Sequence, residues 1–209
     1  MPGRLTLGLY NSYDPQRWQE AMRRALVRAA PVALAFDCNL ATFGFPYDEG
    51  RRRESKDDEA PDLRTPQEIA AFVAGSTSVA GAHHFQELAD AGRFNVFDYP
   101  GGKHGSPGGF PPQLGRALAT TEVPKPKGAL VTPLDCAHEL ARGKSQLLVI
   151  GLGPRGLPPK LVAATPDHLE LTGRGIGFET ATAMAAMPAL VHAHLHHLNA
   201  SPGPKGARR

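Results

Sequence analysis

The sequence predicts an α/β fold with a mainly parallel sheet flanked by helices. Short apolar segments of strand character alternate with segments whose apolar residues recur at helical spacing, a pattern typical of βαβ units. Two apolar runs, 31–37 (PVALAFD) and 145–151 (SQLLVIG), are nearly continuous, as expected of strands covered on both faces. With 209 residues, of which 41% are hydrophobic, the chain can bury the core of one domain, which we assign to residues 1–199.

The first elements are a strand at 4–10 (RLTLGLY) and a helix at 14–30. Asp14-Pro15 is a typical helix start, and apolar side chains then recur at helical spacing. The run at 31–37 is the second predicted strand. Residues 48–64 mix charges of both signs with little apolar content, so we expect a solvated charged loop.

Two short helices and a strand follow the charged loop. The helix at 65–75 begins with Thr65 before a proline and has Glu68 three residues on, which predicts a capping box. The helix at 78–92 ends at a glycine, a common C-terminal cap. The segment 93–99 (RFNVFDY) is the third predicted strand.

The second half opens with a loop at 100–113, where glycine and proline dominate, and then alternates strands with helices. The predicted strands are 116–122 (RALATTE), 128–132 (GALVT), 145–151 and 168–173 (HLELTG). The predicted helices are 133–143, 158–165 and 178–198, the last bent at Pro188.

Charge and composition indicate the cellular compartment of the protein but do not identify its binding partner. The net charge is +3, but the last eleven residues alone supply Lys205, Arg208 and Arg209, so the rest of the chain is balanced. The segment 200–209 has the composition of a basic flexible tail. The apolar stretches are too short to span a membrane, there is no secretory signal pattern near Met1, and two cysteines suit a reducing compartment. We therefore expect a cytoplasmic protein without a membrane partner.

A glycine-rich turn after the strand at 145–151 carries the first functional signal. Gly151, Gly153 and Gly156 lie in G-x-G-x-x-G register, and Glu170 follows about twenty residues later, as in dinucleotide-binding domains. Against that interpretation, the intervening helix is short, little chain remains downstream, and the fingerprint normally opens such a domain. An NAD(P)-binding oxidoreductase is therefore an alternative rather than the leading hypothesis.

The last part of the chain contains four segments in succession, LLVIGLGPRGLP, PKLVAAT, HLELTGRGIG and FETATAMAAMPALV. These segments resemble the knotted catalytic half of the SPOUT methyltransferases, and upstream ALATTE is similar to a Thr-Thr strand of several of these families. The resemblance is most specific over 128–198. The whole chain from LGLYNSYD onward also resembles an uncharacterised, mainly archaeal family assigned to that superfamily.

The resemblance implies a deep C-terminal trefoil knot at 128–198 and S-adenosyl-L-methionine as cofactor. The implied knot involves the loops after LVT, LVIG and LEL, and LVTPLD is the candidate for the first cofactor loop. The candidate cofactor-binding residues are Thr132, Pro133, Leu134, Gly151, Leu152, Gly153, Gly156, Leu169, Leu171, Gly173, Ile176, Gly177 and Thr180. The glycines allow close approach of the backbone, and the leucines and Ile176 suit an adenine pocket.

Two side chains are candidates for catalysis. Arg155 lies in the glycine-rich turn, where a guanidinium can hold a phosphate or a carboxylate, although a surface salt bridge also explains it. Glu179 can act as a base or orient the target, but an acidic residue at a helix N-terminus is an equally ordinary explanation. Ribose-methylating relatives carry a Glu in the glycine-rich turn and an Asn in the last motif, whereas this chain has GLGPRG and GFETAT. The methylated group is therefore left open.

The loop at 100–113 supplies candidate substrate contacts. Lys103 and His104 suit phosphates, and Phe110 suits stacking on a base. Arg51, Arg52 and Arg53 can contact RNA or belong to the solvated loop. The four histidines at 192–197 lack a nearby carboxylate or thiol, so we predict no metal site.

The leading hypothesis is a SPOUT-type S-adenosylmethionine-dependent methyltransferase that acts as a homodimer on RNA, either tRNA or rRNA. The alternatives are a non-catalytic RNA-binding protein on the same fold and, less favoured, the oxidoreductase.

Overall fold

A computed structural model describes residues 3–48, 62–76, 81–105, 109–124 and 129–200. Within these residues the chain forms seven strands and six α-helices. The strands are β1 Leu5–Tyr10, β2 Asn39–Phe43, β3 Phe94–Phe97, β4 Arg116–Thr120, β5 Ala129–Val131, β6 Gln146–Gly151 and β7 Asp167–Leu169. The helices are α1 Glu20–Ala35, α2 Pro66–Gly75, α3 His83–Asp90, α4 Pro133–Ala141, α5 Pro159–Ala164 and α6 Thr180–Ala200.

The strands form one parallel sheet in the order β3-β2-β1-β6-β4-β7-β5. The predicted α/β fold with a parallel sheet is confirmed. Two late strands lie between earlier ones: β6 separates β1 from β4, and β7 separates β4 from β5. Because all strands run in the same direction, the loops after β4, β6 and β7 meet at one edge of the sheet.

The two faces of the sheet are covered unequally. Five helices contribute buried side chains to the larger core on one face: α1, α2, α3, α4 and α6. The other face has a smaller core, to which α5 contributes Leu161 and Val162. The glycine- and proline-rich loop and the residue after it complete this smaller core, since Phe110 packs against it and Leu114 is buried in it.

The predicted strand at 31–37 is wrong, because most of this segment forms the C-terminal end of α1. The helix continues through Pro31 to Ala35, and Ala29, Ala30 and Ala33 are fully buried in the larger core. Pro31 removes one helical hydrogen bond, but burial of the small residues around it keeps the helix intact. The second strand is Asn39–Phe43, which follows a left-handed residue, Asp37 (φ 50°).

The predicted capping box at the start of α2 is confirmed. The Thr65 hydroxyl accepts from the backbone N–H of Glu68, and the Glu68 carboxylate accepts from the backbone N–H of Thr65. Backbone hydrogen bonds from Arg64 and Thr65 lower the pKa of Glu68. The charged loop at 48–64, including Arg51, Arg52 and Arg53, falls largely outside the described residues, as does nearly all of the tail at 200–209.

Candidate active site

A cavity at the carboxyl edge of the sheet has a volume of about 590 Å³. The three loops after β4, β6 and β7 form its walls, and the start of α6 closes one side. This position, beyond the carboxyl ends of parallel strands, is where α/β sheets usually bind ligands. The volume is also in the usual range for small-molecule sites, roughly 300–1,000 Å³.

The structure brings most of the candidate cofactor and catalytic residues together around this cavity. Those that line it are Gly151, Leu152, Gly153, Arg155, Gly156, Leu169, Leu171, Ile176, Gly177, Glu179 and Thr180. These residues come from separate segments of the chain. A hydrogen bond of 3.3 Å from the Thr180 hydroxyl to the carbonyl of Gly151, 29 positions earlier, joins the start of α6 to the end of β6. Gly173, with φ 65°, belongs to the same loop as Ile176 and Gly177 but does not line the cavity.

The glycine-rich turn after β6 is closely packed against itself. A methyl group on the Cα of Gly151 would lie 2.3 Å from the carbonyl carbon of Gly156, so only glycine fits without a shift of the backbone. Gly156 has φ 63°, a left-handed conformation that closes the turn. The backbone N–H of Leu152 donates to the carbonyl of Tyr10 at 3.0 Å, which ties the turn to the end of β1.

Arg155 projects from this turn at the mouth of the cavity. Its side chain is exposed, and it forms no hydrogen bond or ion pair with any other described residue. A surface salt bridge, the ordinary explanation considered above, therefore has no partner in the described part of the chain. The guanidinium is free to bind an anionic group of a ligand.

Glu179 caps the N-terminus of α6. Its carboxylate accepts from the backbone N–H of Ala181 at 2.9 Å and from that of Thr182 at 3.4 Å. The helix-terminus explanation of this residue therefore describes its observed contacts. Glu179 also lines the cavity. By capping α6, its carboxylate holds in place the first residue of the helix, Thr180, whose hydroxyl donates to the carbonyl of Gly151.

Glu170 folds back on its own turn. Its carboxylate accepts from the hydroxyl and the backbone N–H of Thr172 and from the backbone N–H of Gly173. Burial raises the pKa of Glu170, but these hydrogen bonds outweigh burial and hold the pKa below its usual value. The carboxylate is thus occupied by its own loop, and α5 has only six residues, which weakens the dinucleotide interpretation.

Thr132, Pro133 and Leu134 do not line the cavity. Thr132 caps α4 through a capping box with Asp135, and Pro133 is the first residue of that helix. Hydrogen bonds from Thr132 lower the pKa of Asp135. Because β5 is an edge strand, separated from β4 by β7, the loop that follows it is displaced from the cavity.

The loop after β4 takes the place expected of LVTPLD. Thr120, Thr121 and Glu122 line the cavity. The Thr120 hydroxyl donates to the carbonyl of Val149 at 2.8 Å, and the backbone N–H of Thr121 donates to the carbonyl of Leu169 at 3.2 Å. The sequence signal for this loop was the Thr-Thr pair itself, whereas Tyr13 and Phe178, which also line the cavity, had no signal.

The candidate substrate contacts at 100–113 lie away from the cavity lining. Phe110 packs edge-to-face on Phe43, with ring centroids 5.1 Å apart, so its ring belongs to the smaller core. His104 lies beside Tyr99, with ring centroids 5.3 Å apart, and Lys103 is exposed. The described part of this loop packs on the smaller core, and Phe110 is partly buried there rather than in the cavity lining.

The described residues contain no group of three or more His, Cys, Asp and Glu side chains placed to hold a metal ion. On α6, the His192 and His196 rings have centroids 6.5 Å apart, and the His192 ring is 5.5 Å from that of Phe36. Across the same residues, the helices are too short or too polar to span a membrane.

Comparison with known proteins places these features in a family. The family model described as "Protein of unknown function (DUF531)" matches residues 5–192. A curated relative, the uncharacterized protein MJ0224 of Methanocaldococcus jannaschii, is 34% identical over 195 residues, covering 93% of this chain and 97% of the relative.

Solved structures share the fold at low sequence identity. A protein described as a probable methylase family protein from Haemophilus influenzae Rd KW20 has a TM-score of 0.57 at 15% identity, over 100% of this chain and 73% of that chain. One described as a probable methyltransferase from Bordetella pertussis Tohama I has a TM-score of 0.52 at 12% identity, over 92% and 96%. One provisionally described as an RNA methyltransferase, from Bacillus anthracis, has a TM-score of 0.52 at 12% identity, over 98% and 99%.

Proposed function

Because the chain belongs to the protein family of unknown function DUF531 and shares its fold with methyltransferases, we propose that it is an S-adenosylmethionine-dependent RNA methyltransferase of the SPOUT type. The observation that carries the proposal is the cavity built by the loops after β4, β6 and β7. The loops after β6 and β7 contain the glycine-rich turns on which the resemblance to SPOUT enzymes rests.

The cavity fits an S-adenosyl group in size and in chemistry. Its volume of about 590 Å³ is sufficient for a ligand of this size. The apolar side chains of Leu152, Leu169, Leu171 and Ile176 suit the adenine ring. Gly153 and Gly177 add backbone to the cavity lining that carries no side chain of its own, and backbone groups supply the polar contacts.

When bound, S-adenosylmethionine supplies a methyl group on a positively charged sulfur, which a nucleophile attacks directly. The contribution of this chain is then placement. Arg155, exposed at the mouth, positions a phosphate of the RNA near the cavity. Glu179 holds the start of α6 and presents Thr180 to the end of β6, which fixes the wall that the target nucleotide meets.

The knot, the homodimer and the RNA substrate are proposed from the resemblance to SPOUT enzymes. The insertion of β6 and β7 between earlier strands is compatible with a trefoil knot in the region 128–198. We propose that the protein works in the cytoplasm as a homodimer, with the alanine-rich start of α6 allowing close helix packing, and that its substrate is a tRNA or an rRNA. The comparison with an RNA methyltransferase candidate from Bacillus anthracis supports the choice of RNA.

Calorimetry and thermal unfolding with S-adenosylmethionine, S-adenosylhomocysteine and NADH test the cofactor. At one hundred times its dissociation constant a ligand stabilises the fold by about 2.7 kcal/mol, which for this size raises the unfolding midpoint by roughly 5–11 °C. We expect a rise with the two S-adenosyl compounds and none with NADH. A rise with NADH alone would favour the oxidoreductase.

Transfer of a labelled methyl group to total tRNA or rRNA tests the activity. Label in RNA from wild type, lost in Arg155→Ala while cofactor binding persists, supports the proposal. RNA binding that is indifferent to S-adenosylmethionine, together with no label, would instead indicate the non-catalytic RNA-binding protein.

A further inference from the structure

The charges around the cavity are unbalanced. The described residues that line it carry three carboxylates, those of Glu122, Glu170 and Glu179, and one guanidinium, that of Arg155. A cavity with this excess of negative charge favours a cationic ligand over a neutral ligand of the same shape.

Two of the three carboxylates are engaged by the fold. Glu170 accepts hydrogen bonds within its own turn, and Glu179 caps α6. Their positions are fixed by these backbone contacts, and their substitution would disturb the walls of the cavity. Neither residue can therefore be used to test the effect of charge alone.

Glu122 differs because it has no hydrogen bond or ion pair with any other described residue. Its side chain lies along the loop after β7: a methyl group on the Cα of Gly177 would lie 3.5 Å from the Cδ of Glu122. The carboxylate thus lies near Gly177 of the loop after β7, exposed and without a charge partner among the described residues.

We propose that Glu122 is a specificity-determining residue whose carboxylate favours the cationic form of the cofactor over its neutral product. This inference rests on the proposed function. In methyl transfer the carbon–sulfur bond breaks, its electron pair stays on sulfur, and the methyl group joins the nucleophile, which releases a proton. The sulfonium becomes an uncharged thioether, so the ligand in the cavity loses one positive charge and the attraction of Glu122 for it falls.

The expected effect is modest because Glu122 is exposed. One carboxylate within about 4–6 Å of a charge in a largely aqueous environment changes affinity about fivefold, which corresponds to about 1 kcal/mol. The effect should decrease at high ionic strength, since salt screens exposed charges.

Calorimetry of S-adenosylmethionine and S-adenosylhomocysteine at low ionic strength tests this inference. We expect Glu122→Gln to weaken S-adenosylmethionine binding about fivefold and to leave S-adenosylhomocysteine binding unchanged, whereas Glu122→Asp retains most of the difference. Glu87→Gln is the matched control, because Glu87 is exposed on α3 and outside the cavity.

An equal loss for both ligands would overturn the inference, because it would mean that Glu122 contacts a part of the molecule that both share. Unchanged affinity for both in Glu122→Gln would also overturn it. If wild type binds neither compound, the proposed cofactor itself is refuted, an outcome distinct from the other two because it appears before any substitution is made.

Discussion

Substitution of Gly151 by alanine tests whether the glycine-rich turn requires its close packing. The added methyl group would lie 2.3 Å from the carbonyl carbon of Gly156, 2.6 Å from its oxygen and 2.6 Å from the nitrogen of Leu157. These three are backbone atoms, so rotation of a side chain cannot relieve the contact. The turn must move or β6 must shift.

The surroundings resist such a movement. The backbone N–H of Leu152 donates to Tyr10 at 3.0 Å, that of Gly156 donates to Gly153 at 2.9 Å, and Leu157 is buried in the smaller core. Overpacking against constrained atoms costs about 1–3 kcal/mol, and with three contacts we expect about 2–3 kcal/mol. For a chain of this length the unfolding midpoint then falls by roughly 4–12 °C.

Two other glycines provide matched controls. Gly156→Ala meets no atom within 4 Å but retains the left-handed φ of 63°, so we expect a cost of about 1–2 kcal/mol from strain alone. Gly75→Ala, at the end of α2 with open space around it, should stabilise by about 0.5–1 kcal/mol. Urea unfolding followed by circular dichroism measures all three, and a Gly151→Ala protein as stable as Gly156→Ala would refute the packing argument.

Three further predictions concern other parts of the molecule. Phe110→Ala should lower the free energy of unfolding by about 2–3 kcal/mol, somewhat less than for a fully buried ring, and leave the affinity for S-adenosylmethionine unchanged. Weaker RNA binding at unchanged stability would instead support the predicted role of Phe110 in substrate binding. Arg155→Ala should keep the unfolding midpoint within about 1–2 °C of wild type and reduce methyl transfer at least tenfold, so an unaffected rate in a transfer assay would exclude Arg155 from the site. Burial raises the thiol pKa of both Cys38 and Cys136 to about 12, so a colorimetric thiol reagent at pH 8 should label neither cysteine in the native protein and both in urea. The free energy of unfolding should also fall as the pH rises from about 9 toward 12, because only the thiols of the unfolded chain ionise in that range. Fast labelling of the native protein would contradict this burial.

The order of elements could be predicted from the sequence because periodicity and caps are local signals. The capping box of Thr65 and Glu68, the helix after Thr132 and the buried strand at 146–151 all depend on residues within a few positions of one another. The error at 31–37 has the same origin. A short apolar run does not distinguish a strand from a buried helix turn, and the deciding factor was the packing of Ala29, Ala30 and Ala33 against distant residues.

The site was predictable only where the loop sequence itself carried a signal. Glycines after β6 and β7 indicated their loops, but the choice between the loops after β4 and β5 depended on strand order. That order results from pairing between residues far apart in the chain. The position of Phe110 was unpredictable for the same reason, since its partner Phe43 lies at the end of β2, far away in the sequence.

The place of β6 between β1 and β4 also has a consequence for synthesis on the ribosome. A hydrogen bond joins Arg4 to Ser145, 141 positions later in the chain, where β1 pairs with β6. β1 therefore cannot pair with β6 until most of the chain has been synthesised. Translation at about 5–20 residues per second separates the emergence of β4 from that of β6 by seconds. During that interval β4 lacks both of its neighbours, β6 and β7, and its edges are open to pairing with other nascent chains. Completion of this sheet is therefore a late event of long sequence separation, and such folds form slowly.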